Sequence, residues 1–156
     1  MLKKLICGLV ALSFGFSLLG ADEAFVGTWK MNVAKSKFAK DHEAKEMTLV
    51  VAVEGDTAAV TINGTVGDGQ TLSIKYTVPT AGGTINYTEG APPAGTTDAL
   101  KNIDDRTVEF TSTMNGNQIL KQHIVVSADH KTMIIRESGV DEKGQAFKSV
   151  YVYDRQ

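Results

Sequence analysis

From Met47 onward the apolar residues of this chain recur at nearly every second position, the spacing of a pleated strand that buries one face. Residues 47–54 are apolar enough to be buried, Gly55-Asp56 turns the chain, and residues 58–63 return with Val60 and Ile62 on one side. Gly67-Asp68-Gly69 turns into residues 71–78, where Leu72, Ile74, Tyr76 and Val78 share a face, and Pro79 stops the run. Residues 84–88 make a short strand after Ala81-Gly82-Gly83. A loop at 90–95 holds Pro92 and Pro93, and 97–103 is a weaker strand with a polar interior. The last third alternates most regularly, through 107–113, 118–126, 131–137 and 147–155. Asn115-Gly116 supplies the strongest two-residue hairpin signal of the chain.

Two further stretches frame this run. Phe25-Val26-Gly27-Thr28-Trp29-Lys30-Met31 reads as a first strand and carries the only tryptophan. Between it and Met47, residues 32–46 are polar and lysine-rich. Asp41 and Lys45 form an i,i+4 pair there, so the segment reads as a loop with at most two helical turns, pinned by Phe38. No long amphipathic helix separates consecutive strands, so the sheet is an antiparallel meander of about eight to ten strands. Such a meander has two open edges, and closing it into a barrel removes both. An all-β, up-and-down closed barrel is therefore the expected fold, with a two-sheet sandwich as the alternative. A barrel of this strand number has room for one small ligand.

The first residues carry a different signal. Lys3 and Lys4, the uncharged apolar run 5–19 and the small pair Gly20-Ala21 have the pattern of a secretory signal peptide cleaved after Ala21, leaving one domain over 22–156. The apolar run is shorter than the roughly 20 residues of a spanning helix, so no stable membrane anchor is expected after cleavage. Lys3 and Lys4 leave with the leader and no acid does, so a formal charge of −2 becomes −4. A mildly acidic domain has no electrostatic case for nucleic acid. Cys7, the only cysteine, leaves as well, which excludes disulfides and thiolate chemistry from residues 22–156. A secreted or periplasmic location follows.

The two ends also resemble a known superfamily. Gly27-Thr28-Trp29-Lys30 is similar to the Gly-x-Trp opening of the calycins, the lipocalins and fatty-acid-binding proteins, and Val152-Tyr153-Asp154-Arg155 resembles the last strand of the latter. Together with Ala34-Lys35-Ser36-Lys37-Phe38, they look like a set of secreted bacterial lipocalin-like proteins. The resemblance implies that Trp29 plugs one end of the barrel, with Gly27 letting the backbone pass close to it and Arg155 stacking across the ring. It also implies a carboxylate site of the form Arg-x-Tyr on the last strand. Here Tyr153 falls on the tyrosine, but Tyr151 stands where the arginine is expected, and Arg136 on the neighbouring strand substitutes only if it points inward.

Chemistry-bearing motifs are few. His42, His123 and His130 have no metal-ligand spacing, and there is no nucleophile motif or phosphate-cradling loop, so neither catalytic residues nor a metal or other cofactor is expected. His123, on a strand, is the only histidine placed to act as a base inside a barrel. Tyr76, Arg136, Phe147, Tyr151 and Tyr153 are the candidate ligand-binding residues, and the expected partner is a small lipophilic molecule. Two other readings stay open: a filled barrel acting as a protein-interaction or inhibitor module through 32–46, and an isomerase or cyclase on the same scaffold. Composition does not address oligomeric state.

Overall fold

The computed structural model describes residues 20–40 and 42–156. The leader reading, Cys7 and the Asp41–Lys45 pair therefore lie wholly or partly outside the described residues. Eleven antiparallel strands follow a short helix, α1 (Gly20–Phe25). They are β1 (Gly27–Met31), β2 (Ala44–Glu54), β3 (Thr57–Val66), β4 (Thr71–Pro79), β5 (Gly83–Thr84), β6 (Asn86–Glu89), β7 (Thr96–Asp104), β8 (Thr107–Met114), β9 (Asn117–Val126), β10 (Thr132–Val140) and β11 (Ala146–Arg155). The Asn115-Gly116 hairpin forms as its sequence requires, with both residues at positive φ (51° and 83°).

One sheet contains all eleven strands, in the order β5-β7-β8-β9-β10-β11-β1-β2-β3-β4-β6. Its two ends are β5 and β6, which are one continuous stretch of chain. Gly83-Thr84 pairs with Leu100 and Ala99 on β7, Asn86–Glu89 pairs with β4, and buried Ile85 joins them with its N–H on the Asp98 carbonyl at 2.9 Å. A stretch that leaves one edge and joins the other closes the sheet. The architecture is a barrel rather than a sandwich.

The polar segment after β1 differs in part from its sequence reading. Instead of helical turns near Lys45, the chain runs on beside β11. The Asn32 N–H reaches the Val152 carbonyl at 2.7 Å, a single 3-10 turn (Val33–Lys35) follows, and Lys37 exchanges two 2.7 Å bonds with Val150. The Asn32 side chain caps the turn by accepting from the Lys35 N–H at 3.1 Å. Lys45 and Glu46 then lie on β2, beside a bulge opposite Val66 and Thr65. A helix without an apolar face has only weak i,i+4 pairs to hold it, whereas the strand completes ladder bonds on both sides. The segment is thus a loop with one 3-10 turn, bridged to β11 at Lys37, and only residues 44–46 enter the barrel wall.

The core gathers at the end of the barrel where β1 begins. Trp29, Val126 and Met133 are its fully buried large side chains, with Ala24, Met31 and Tyr153 around them. The Trp29 indole N–H donates to the Phe25 carbonyl at 2.8 Å, tying α1 to the floor. Arg155 lies across the ring, its guanidinium carbon 4.2 Å from the centroid. Its Nη2 donates to the Ala24 carbonyl at 2.5 Å, its Nε to that of His130 at 2.6 Å, and its Nη1 to that of Val26. Gly27 makes this possible: it sits at φ +129°, and a Cβ there would stand 2.8 Å from Arg155 Nη1.

Candidate ligand cavity

Beyond this floor the barrel is hollow. A cavity of about 970 Å³ runs through it, lined by inward positions of nearly every strand. Alternation decides which residues these are: Leu49, Val51 and Val53 on β2, Val60 and Ile62 on β3, Leu72, Ile74 and Tyr76 on β4. Most of these apolar side chains are neither buried nor exposed, because they face a space instead of one another. A filled interior is excluded, and with it the interaction-module reading in the form that required one. At the rim away from Trp29, His42 and Glu43 meet Gly67 and Asp68 of the β3–β4 turn, where the Gly67 N–H donates to the Glu43 carbonyl at 2.7 Å. Phe147 stacks on His42 there, ring centroids 4.0 Å apart.

Among the polar groups that interrupt the apolar lining are two hydrogen-bonded acid–tyrosine clusters. On one wall, Met133, Ile135 and Glu137 are successive inward residues of β10. The Glu137 carboxylate accepts from Gln122 Nε2 on β9 at 2.6 Å through Oε2, and from the Tyr151 hydroxyl on β11 at 2.8 Å through Oε1. Burial and the nearby Glu137 charge push the hydroxyls of Tyr151 and Tyr153 well above the ordinary tyrosine range. On the other side, Tyr87 of β6 donates to buried Asp98 of β7 at 2.5 Å, and its ring meets that of Tyr76 at 5.6 Å. Burial, then Asp98, raise the pKa of both of these tyrosines too. All four tyrosines of the chain are therefore held neutral, Tyr87 and Tyr151 as hydrogen-bond donors and Tyr76 and Tyr153 chiefly by burial, and none is a ready base. Asp98 Oδ1 and Thr96 Oγ1, both buried, have no protein partner.

Of the sequence-derived candidates, Tyr76, Tyr151 and Tyr153 line the cavity, and the odd-numbered face of β11 is the inward one. Phe147 is on that face but at the rim, against His42 rather than in the lining. Arg136 is exposed: it lies between inward Ile135 and Glu137, so the pleat turns it outward, and the condition set for it as a substitute carboxylate anchor fails. It cannot pair with Glu137 either, since the two occupy opposite faces. His123 is likewise exposed on the outer face, opposite Arg136 and Glu109 in the ladders, which removes it from any interior chemistry. The residues missed from sequence are Glu137, Gln122, Tyr87, Asp98 and His42. No group of three or more His, Cys, Asp or Glu stands ready for a metal ion among the described residues.

No protein-family model matches the chain, and no curated protein matches it by sequence. Solved structures do match. The structure of EF1p2_mFAP2b bound to DFHBI superposes with a TM-score of 0.54 at 12% identity, covering 90% of this chain and 100% of that one. Zebrafish ileal bile acid-binding protein complexed with cholic acid gives 0.51 at 11% identity, covering 85% and 99%. Lobster apocrustacyanin A1 gives 0.43 at 9% identity, covering 86% and 62%. At such identities the likeness concerns the fold, and the fold is a calycin-like barrel.

Proposed function

We propose that residues 22–156 act as a secreted or periplasmic carrier that holds a small lipophilic molecule inside the barrel. The cavity carries this reading: a space of about 970 Å³ lies at the upper end of the range for drug-sized ligand sites, and its walls are mostly aliphatic with a few fixed polar groups. The similar barrels with DFHBI and cholic acid support small-molecule binding as a use of this architecture. The location rests on residues 1–21, read as a cleaved leader.

The test is native mass spectrometry of the protein purified from its own host, before and after organic extraction, together with titration of the extracted protein by Nile red, a neutral lipophilic dye. A reproducible extra mass lost on extraction, and saturable dye binding at one site per chain, are expected. A bare chain that also leaves Nile red unbound would overturn the carrier reading. Sequencing the N-terminus of the purified protein checks the leader: it should begin at Asp22.

A further inference from the structure

We propose that Glu137 is the polar anchor of the cavity and that the ligand is an amphiphile carrying a protonated amine, not a carboxylate. The inference rests on the carrier reading above and adds the ligand's charge. Glu137 is the acidic residue of the lining that stands on a strand inside the barrel, two inward positions beyond floor residue Met133. Each of its oxygens already accepts one bond, from Gln122 and from Tyr151, so the carboxylate is fixed in orientation by two neutral donors. A carboxylate oxygen has two acceptor positions, which leaves one on each oxygen for a further donor.

No arginine or lysine stands among the described residues that line the cavity. Its other acids, Glu43 and Asp68, lie at the rim, and His42 there is stacked on Phe147. The nearest arginine in sequence, Arg136, faces the opposite side of the sheet. An anion in an apolar space without a counter-charge is an unbalanced arrangement, and an ammonium group donating to it supplies the missing partner. An alkyl chain on that group would meet the aliphatic walls of β2, β3 and β4. A carboxylate ligand would bring a second anion beside Glu137, where the Gln122 and Tyr151 donors are already engaged by that residue.

The test displaces Nile red with three molecules of equal chain length, decylamine, decanol and decanoate, at pH 7. Decylamine should compete about tenfold or more better than decanol, the factor a single hydrogen bond to a charged group commands, and decanoate worse than decanol. Glu137→Gln, which keeps the shape and bound dye as a sign of folding, should remove the preference for the amine while leaving decanol nearly unchanged. Glu109→Gln, the same charge change on a residue outside the cavity lining, should keep it. Dye and decanol binding without a preference for decylamine, or a preference that survives Glu137→Gln, would overturn the amine assignment and leave the carrier reading standing. Failure of the dye and all three competitors to bind would sink both.

Discussion

Arg155→Met removes the fork that fastens the floor of the barrel while keeping an unbranched side chain over the indole. Three contributions are lost. The cation–π contact at 4.2 Å is worth about 1 kcal/mol with the ring buried and the arginine partly so. The charged bonds to the Ala24 and Val26 carbonyls, both partly buried, contribute roughly 1–1.5 kcal/mol each, whereas the exposed bond to His130 re-pairs with water and adds little. The sum is about 3 kcal/mol, which in a domain of this size lowers the melting temperature by roughly 10 °C. Urea unfolding followed by the fluorescence of Trp29, the only tryptophan, reads this directly. Arg155→Lys keeps the charge but has no planar fork, so it should recover less than half of the loss. Gly27→Ala tests the same contact from the other side, because its Cβ would stand only 2.8 Å from Nη1 and push it away. The double variant Gly27→Ala with Arg155→Met should therefore lose clearly less than the sum of the two single variants. A midpoint within about 2 °C of wild type for Arg155→Met, or strict additivity in the cycle, would refute the clamp.

Two other outcomes follow from the interior polar groups. Tyr76 and Tyr153 are neutral in the fold above the pH at which an unfolded tyrosine ionises, about 10. Stability should thus be flat with respect to tyrosine below that pH and fall above it, where the unfolded chain binds fewer protons, by about 1.4 kcal/mol per pH unit for each. In a tyrosinate absorbance titration the signal should stay low near pH 10 and rise together with loss of the β spectrum; an independent step near pH 10 would contradict the enclosed geometry. Tyr87→Phe would leave Asp98, whose Oδ1 already lacks a partner, without either bond, and should cost about 1–3 kcal/mol in urea unfolding. Unchanged stability would mean that water already serves Asp98.

The strands were legible because one face of the sheet is apolar, and the closure because a long meander has edges to hide. The short split strand at 83–89 was legible only as one piece; that its two halves join opposite edges depends on a bend at Ile85 that no residue type announces. Within residues 32–46 the loop with few helical turns is as read, and only residues 44–46, which open β2, were misread, for a related reason. Helix propensity and charge pairs are local and were visible, whereas the bonds that hold the loop against β11 go from Asn32 and Lys37 to Val152 and Val150, more than a hundred residues away. The contact of Tyr87 with Asp98 was out of reach in the same way, since β6 and β7 share no ladder and the loop between them contains Pro92 and Pro93.

Glu137 is a different case, because the chain contained enough to find it. The Asp141–Gly144 turn sets β10 against β11 so that odd residues face odd: Met133 opposes Tyr153, Ile135 opposes Tyr151, and Glu137 opposes Ser149. Once the tyrosines of the last strand are placed inside, pleating carries Ile135 and Glu137 inside with them and turns Arg136 out. Arg136 and Glu137 are neighbours in sequence, but on a strand the thickness of the sheet separates their side chains. The consequence reaches function. The floor, with Trp29 and Arg155, sits at one end and governs stability, while Glu137 stands in a hollow where few packing contacts depend on it. Substitutions at the floor should therefore move the melting temperature and leave ligand preference alone, and Glu137→Gln should do the reverse. Such a separation lets the charge of the cavity be changed without dismantling the barrel.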